Sequence, residues 1–126
     1  MPAELDHLIL AVNDPQASVD FYTRILGFTY EGEQPPFLTV RVTPGFVLQL
    51  APWGTKGGEH LAFALDRTAF EQVFDRLRAA GIVYGDAFDA VGNMRGPGTA
   101  AGARGASHSV YFFDPSQHLI EITYYA

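Results

Sequence analysis

The sequence has no cysteine, few basic residues and no long hydrophobic run. Without cysteine, neither disulfides nor thiolate metal sites can form. Eight Lys and Arg residues against 14 Asp and Glu give a net charge of −6, which leaves no basic face for a nucleic acid. No apolar stretch approaches the roughly 20 residues of a membrane span, and Glu4 and Asp6 stand where a signal peptide has its basic head. We therefore expect a cytoplasmic protein without nucleic-acid or membrane partners.

What the chain does contain is enough apolar material for one folded domain. It has 126 residues, 48% of them hydrophobic and 17% charged, a balance typical of globular proteins and not of disordered ones. A chain of this length buries a core of its own. The sequence predicts a single domain over residues 1–126.

The first half of the chain follows a strand-helix-strand pattern. The segment "LDHLILAV" (5–12) predicts a strand buried on both faces because it is rich in Leu, Ile and Val. The segment "NDPQASVDFYTRILG" predicts a helix capped by Asp14 and ended by Gly27. Turn residues then divide three shorter strands, at about 28–33, 37–43 and 46–51.

The second half repeats this pattern with one insertion. A strand at 59–65 precedes the helical segment "DRTAFEQVFDRLRAAG", where Thr68 and Glu71 fit a capping box. Further strands are predicted near 82–84, 107–113 and 118–125. The prediction is an α+β fold of two βαβββ modules, about 4–54 and 58–126, that form a cupped mixed sheet.

The repeat places polar residues at matching positions of the two modules. His7 and His60 stand in the first strand of each module, and Gln49 and Glu121 stand in the last. Taken singly, each has an ordinary explanation: a hydrogen-bonded core histidine, an amide at a strand edge, or a carboxylate paired with an arginine. Because Glu121 lies in the apolar run "LIEIT", its charge needs a partner or a metal.

Together these residues predict a metal site. Two neutral imidazoles and one carboxylate on converging strands form a facial triad that suits Fe(II), Mn(II), Ni(II) or Zn(II) and leaves positions open for substrate. The predicted ligands are His7, His60 and Glu121. Strand parity puts His60 on one face with Ala62 and Ala64, whose small side chains leave room for a small molecule.

The segments "LDHLILAVNDPQASVDFYTRILGF", "EHLAFAL" and "YFFDPSQHLIEI" resemble the vicinal oxygen chelate superfamily of glyoxalases, extradiol dioxygenases, fosfomycin resistance enzymes and bleomycin resistance proteins. The resemblance spans both modules and implies one divalent metal on His7, His60 and Glu121, with Glu121 also catalytic. It further implies pairing of modules, commonly in a homodimer whose sites draw ligands from one chain or two. The family's turn Asp-Pro-Asp-Gly before the last strand is replaced here by "DPSQ".

Different branches of the family match different residues. Gln49 stands where glyoxalases carry a carboxylate that shuttles protons, and an amide cannot take up a proton. Tyr111 corresponds to the tyrosine with which extradiol dioxygenases contact substrate, although their acid–base histidine near Gln49 is missing. Ser109 and Tyr111 also match substrate-contacting hydroxyls of the fosfomycin enzymes, whose potassium-loop lysine has no counterpart here. The alternative outside enzymology is an antibiotic-binding protein of the bleomycin-resistance type.

The glycine-rich segment 91–106 allows two interpretations. It is either a mobile surface connection or a lid that brings Arg95 or Arg104 to an anionic group of the substrate. The predicted substrate-binding residues are Ser109, Gln49, Arg95 and Arg104. The predicted catalytic residues are Tyr111 and Glu121. The predicted function is that of a metal-dependent lyase or dioxygenase acting on a small molecule through neighbouring oxygens, with the reaction left open.

Overall fold

The computed structural model describes residues 2–125. The chain divides into two compact units, one ending at Lys56 and the other beginning at Gly57. Each unit combines helix with a mixed sheet, which confirms the predicted α+β class. No helix within residues 2–125 is long and apolar enough to cross a membrane.

The first unit contains one helix and a four-stranded sheet. Its elements in chain order are β1 (His7–Ala11), α1 (Pro15–Arg24), β2 (Thr29–Gln34), β3 (Phe37–Thr43) and β4 (Phe46–Ala51). The sheet order is β1-β4-β3-β2, with β1 parallel to β4 and the other pairs antiparallel. Helix α1 packs against β3 and β4, where Val40, Leu48 and Leu50 are fully buried.

Helix α1 begins as the sequence predicts. The Asp14 side chain accepts a hydrogen bond from the backbone N–H of Ala17 at 3.1 Å, and Pro15 occupies the first turn. The helix itself ends at Arg24, and Gly27 follows with a φ of 80°, a conformation that favours glycine.

The prediction that β1 is buried on both faces is wrong. Within the strand only Leu10 is fully buried, whereas His7 is exposed and Ile9 is 40% exposed. The cause is that α1 covers one face of this sheet, while His7 and Ile9 point to the other. The apolar composition of β1 did not show which face of the strand is buried and which is exposed.

The second unit contains one helix and a five-stranded sheet. Its elements are β5 (His60–Ala64), α2 (Arg67–Ala79), β6 (Tyr84–Gly85), β7 (Gly98–Gly102), β8 (Gly105–Phe113) and β9 (Leu119–Tyr125). The sheet order is β5-β9-β8-β6, and β7 pairs with β8. Strand β5 is parallel to β9. Helix α2 packs on β9, and the ring centroids of Phe70 and Tyr124 are 4.7 Å apart at this contact.

The predicted capping box of α2 is wrong. The cap is Asp66, whose carboxylate accepts from the backbone N–H of Ala69 at 2.7 Å. Thr68 lies inside the helix, and Glu71 accepts instead from Arg67 Nε at 3.2 Å. Both Asp66 and Thr68 are residue types that cap helices, and the helix begins directly after the earlier one, at Arg67.

The segment 91–106, for which the sequence suggested a mobile connection or a lid, contains a regular strand. Strand β7 consists only of Gly, Ala and Thr and forms a tight antiparallel hairpin with β8. This strand lacks the alternation of apolar and polar side chains by which strands are recognised in a sequence, since it is built of Gly, Ala and Thr. Its pairing with β8 needs only backbone hydrogen bonds. The segment therefore ends in an ordered edge of the second sheet.

The two sheets have equivalent registers. In the first unit His7 pairs with Val47 and Ile9 with Gln49; in the second, His60 pairs with Leu119 and Ala62 with Glu121. The next strand continues the correspondence, since Thr39 lies opposite Gln49 and Tyr111 lies opposite Glu121. The repeat predicted from the sequence thus extends to individual residue pairs.

Candidate functional site

The second unit brings His60 and Glu121 together. Glu121 on β9 is paired with Ala62 on β5, and His60 lies on the same face two residues earlier. His60 Nε2 is 3.0 Å from Glu121 Oε1. The His60 side chain is 45% exposed and that of Glu121 is 11% exposed. The carboxylate is therefore largely buried, while the imidazole beside it is accessible from solvent.

The second oxygen of Glu121 is held from β8. The hydroxyl of Ser109, which is fully buried, donates to Glu121 Oε2 at 2.8 Å. Ser109 Oγ also lies 2.9 Å from Thr123 Oγ1, and Thr123 donates to the backbone carbonyl of His108 at 3.1 Å. Both oxygens of the carboxylate therefore have partners, which is how this apolar strand accommodates a charge.

Tyr111 lies directly beside this pair. It is opposite Glu121 in the β8–β9 ladder, and its ring centroid is 6.2 Å from that of His60. Burial raises the pKa of the Tyr111 phenol, and the charge of Glu121 and a hydrogen bond to it raise the pKa further, while a hydrogen bond with Ser109 acts the other way. The phenol is therefore a proton-bearing donor at neutral pH.

A cavity of about 490 Å³ opens over these residues. Small side chains of β5 and β7 form much of its wall, as strand parity predicted for Ala62 and Ala64. Aromatic rings and one cation complete it: the remaining large or polar lining residues are His60, Phe88, Arg104, Tyr111, Glu121, Thr123 and Tyr125. Its size suits a small organic molecule.

Of the two arginines predicted to contact substrate, Arg104 lines the cavity and Arg95 does not. Arg104 lines the cavity, and its guanidinium lies 4.2 Å from the centroid of the Tyr125 ring. Its backbone N–H donates to the Tyr125 hydroxyl at 3.3 Å, and Gly102 makes this approach possible because a Cβ there would collide with that hydroxyl. Among residues 2–125 Arg104 has no carboxylate partner. Arg95 is not among the residues that line the cavity.

The first unit holds the other predicted residues, His7 and Gln49. The His7 side chain is 48% exposed, and its Nδ1 is 2.8 Å from Asp6 Oδ2. Gln49 is half-buried beside Ile9 and Thr39 in the row of the sheet that corresponds to Glu121. Residues 2–125 contain no assembled group of three or more His, Asp or Glu side chains that could hold a metal. The three-ligand site stays a prediction.

Sequence reasoning missed several residues around the cavity. Thr123 and Tyr125 share strand parity with Glu121, which placed them on the correct face but gave them no role. Phe88 and the alanines of β7 gave no signal, since the long connection before β8 has no periodic pattern. The two further histidines, His108 and His118, are not among the residues that line the cavity. The ring centroids of His108 and Tyr124 are 4.9 Å apart in a stacked pair, and His118 is buried.

Comparison with known proteins adds an independent result. Residues 4–122 match the model of a family described as "Glyoxalase/Bleomycin resistance protein/Dioxygenase superfamily". A curated relative, virulence protein STM3117 of Salmonella typhimurium, is 28% identical over 96% of this chain and 83% of its own length.

Solved structures with the same fold include proteins of different kinds. The oxidase ChaP-H2 superposes with a TM-score of 0.83 at 28% identity, over all of this chain and 96% of its own. The antibiotic-binding protein TnmS3 of Streptomyces sp. CB03234 superposes with a TM-score of 0.75, over 99% of this chain and 98% of its own. At 19% identity the second likeness concerns the fold alone.

Proposed function

The chain belongs to the glyoxalase, bleomycin resistance protein and dioxygenase superfamily, and from this premise we propose that it is a metal-dependent enzyme acting on a small molecule. The substrate would bind the metal through two neighbouring oxygen atoms. One observation carries the proposal: the contact of 3.0 Å between His60 Nε2 and Glu121 Oε1 at the wall of a substrate-sized cavity. The cytoplasmic location predicted from the sequence belongs to the same proposal.

The donor atoms fit a divalent ion. Two ligands at adjacent positions of one ion, each about 2.1 Å from it, are roughly 3 Å apart, which is the separation of the His60 and Glu121 atoms. His7 is the proposed third ligand, and its contact with Asp6 occupies Nδ1 and leaves Nε2 for the metal. Iron, manganese, nickel and zinc all suit this donor set. When bound, the ion would stabilise negative charge on the substrate oxygens as a Lewis acid.

Gln49 favours oxidation over isomerisation. A glyoxalase reaction moves a proton between carbons and needs a base; because the neutral amide of Gln49 cannot be one, the proton transfer would rest on Glu121 alone. The likeness to the oxidase ChaP-H2 points the same way. We therefore place an oxygen-dependent reaction before a lyase reaction. In it the Tyr111 hydroxyl, which lines the same cavity, would donate a hydrogen bond to a charged substrate oxygen.

The cavity wall favours a planar substrate with an anionic group. Phe88 and Tyr125 supply aromatic rings to the lining, and the alanines of β5 and β7 supply small side chains that leave room for a ring. Arg104 stacks on Tyr125 and has no carboxylate partner among the described residues, so its charge is available to an anion. Arg95 and Gln49 remain proposed substrate contacts on the basis of the sequence.

A binding protein without catalysis is the second candidate. The same cavity could hold an antibiotic without transforming it, and TnmS3 shows that this fold occurs in an antibiotic-binding protein. Metal dependence separates the two candidates, because sequestration of a ligand needs no metal ion.

Metal analysis followed by an oxygen-uptake assay tests the proposal. We expect about one divalent ion per chain, and oxygen consumption by the Fe(II) form with a panel of catechols with and without a carboxylate. His60→Ala and Glu121→Ala should lose the metal and the activity. His108→Ala is the matched control, since it removes an imidazole from the opposite face of the sheet. Protein prepared with metal present but containing none would contradict the enzyme and favour the binding protein.

A further inference from the structure

We infer that Ser109 is a positioning residue that holds Glu121 so that a single carboxylate oxygen, Oε1, is presented to the cavity. This role differs from the substrate contact predicted from the sequence, and it rests on the proposed metal site. The basis is geometric: Ser109 Oγ lies 2.8 Å from Glu121 Oε2, on the side of the carboxylate away from the 3.0 Å contact with His60.

The hydrogen-bond pattern fixes the direction of this contact. An ionised carboxylate only accepts, so the hydroxyl of Ser109 must be the donor. The charged oxygen is a stronger acceptor than the neighbouring hydroxyl of Thr123, and the single proton of Ser109 therefore points to Glu121. Thr123 in turn donates to the His108 carbonyl, so the hydroxyls of Ser109 and Thr123 are linked by hydrogen bonds to the backbone of β8. The serine is completely buried and has little freedom to turn away.

The consequence concerns how the carboxylate would bind a metal. A free carboxylate can bind an ion through one oxygen or through both. With Oε2 engaged by Ser109, Oε1, which faces His60, is the oxygen left for the ion. Binding through one oxygen leaves more coordination positions for the two oxygens of a substrate.

The chain offers a matched control on the same strand. Ser107 precedes Ser109 by two residues, is also buried, and points to the same face, but its hydroxyl contacts the carbonyl of Ala100 at 3.4 Å and not Glu121. The change Ser107→Ala removes the same atoms from an equally buried site in the same strand. It separates an effect on Glu121 from a general effect of truncating a buried serine.

The test measures Mn(II) affinity and the absorption spectrum of the Co(II) form for the wild type, Ser109→Ala, Ser109→Thr and Ser107→Ala. We expect Ser109→Ala to bind Mn(II) about 10- to 100-fold more weakly, the usual effect of removing a hydrogen bond behind a metal ligand, and to change the Co(II) spectrum. Ser109→Thr, which keeps the hydroxyl, should restore most of the affinity. Ser107→Ala should match the wild type in both measurements.

The measurements distinguish failure of the Ser109 role from failure of the proposed metal site. Equal affinity and identical spectra in the wild type and Ser109→Ala would overturn the positioning role while leaving the metal site in place. A wild type that binds no Mn(II) or Co(II) would overturn both. Should Ser109→Ala fail to fold, Ser109→Cys, close in size but a weak donor, provides the same comparison.

Discussion

Gln49 and Glu121 occupy the same position in two equivalent sheets. Gln49 is flanked by Ile9 and Thr39, and Glu121 is flanked by Ala62 and Tyr111, in matching ladders. An amide of nearly the same shape thus stands in one unit where a carboxylate stands in the other. The difference is one of charge and basicity, and it is the feature by which this chain departs from the glyoxalase pattern.

Gln49→Glu should tighten metal binding. A carboxylate at this position adds a charged oxygen to the proposed ligand set, and we expect the Mn(II) dissociation constant to fall by roughly tenfold, about 1.4 kcal/mol. Isothermal titration calorimetry measures this directly. The control Gln49→Met keeps the length of the side chain but has no oxygen, and it should not tighten binding. An unchanged affinity in Gln49→Glu would show that residue 49 does not face the ion.

Tyr111→Phe should lower turnover without changing metal content. Removal of one hydrogen-bond donor to a charged substrate oxygen typically lowers the rate by about 100-fold. Steady-state kinetics and metal analysis on the same samples check both parts. Loss of metal from Tyr111→Phe would contradict the assigned role.

The raised pKa of Tyr111 also predicts a pH effect on stability. A pKa above its ordinary value of about 10 means that the folded state holds this proton more tightly than the unfolded state. The stabilisation is complete below about pH 10 and is lost as the pH rises through the folded-state pKa. Urea denaturation of the metal-free protein at pH 8, 9.5 and 11 should therefore show a smaller decline for Tyr111→Phe than for the wild type. Equal declines would indicate that Tyr111 titrates normally.

A homodimer is expected in solution. Each sheet presents one face without a covering helix of its own unit, and the chain exposes large apolar side chains, among them Leu5 at 68% and Trp53 at 62%. Light scattering at micromolar concentration should give about twice the chain mass of 13.8 kDa. A monomer over this range would refute the dimer and leave the metal prediction standing.

Asp66→Ala should destabilise the protein by about 1 kcal/mol. The carboxylate of Asp66 caps helix α2 through the N–H of Ala69, and loss of such a cap typically costs about 0.5–2 kcal/mol. Thr68→Ala, at the position that the sequence favoured, should cost less than about 0.5 kcal/mol, as an ordinary substitution away from a special contact does. Urea unfolding of the two variants decides between the two caps. A larger effect at Thr68 would reverse the assignment.

Particular residues show how far the sequence could predict the structure. The strands at 37–43 and 46–51 agree with β3 and β4, because clear turn signals bound them. Strand β7 and the cap of α2 were missed. A Gly- and Ala-rich edge strand carries no side-chain pattern, and a cap is chosen among neighbouring polar residues by where the helix begins.

The sequence by itself determined the repeat and the faces on which His60, Tyr111 and Glu121 lie, because strand periodicity is local and fixes the direction of each side chain. Only the tertiary structure decided what those side chains touch. That Ser109 holds Glu121 and that Arg104 stacks at the cavity wall depend on how β7, β8 and β9 align with one another. Such contacts join residues far apart in the chain, and their geometry is set by the packing of the whole unit.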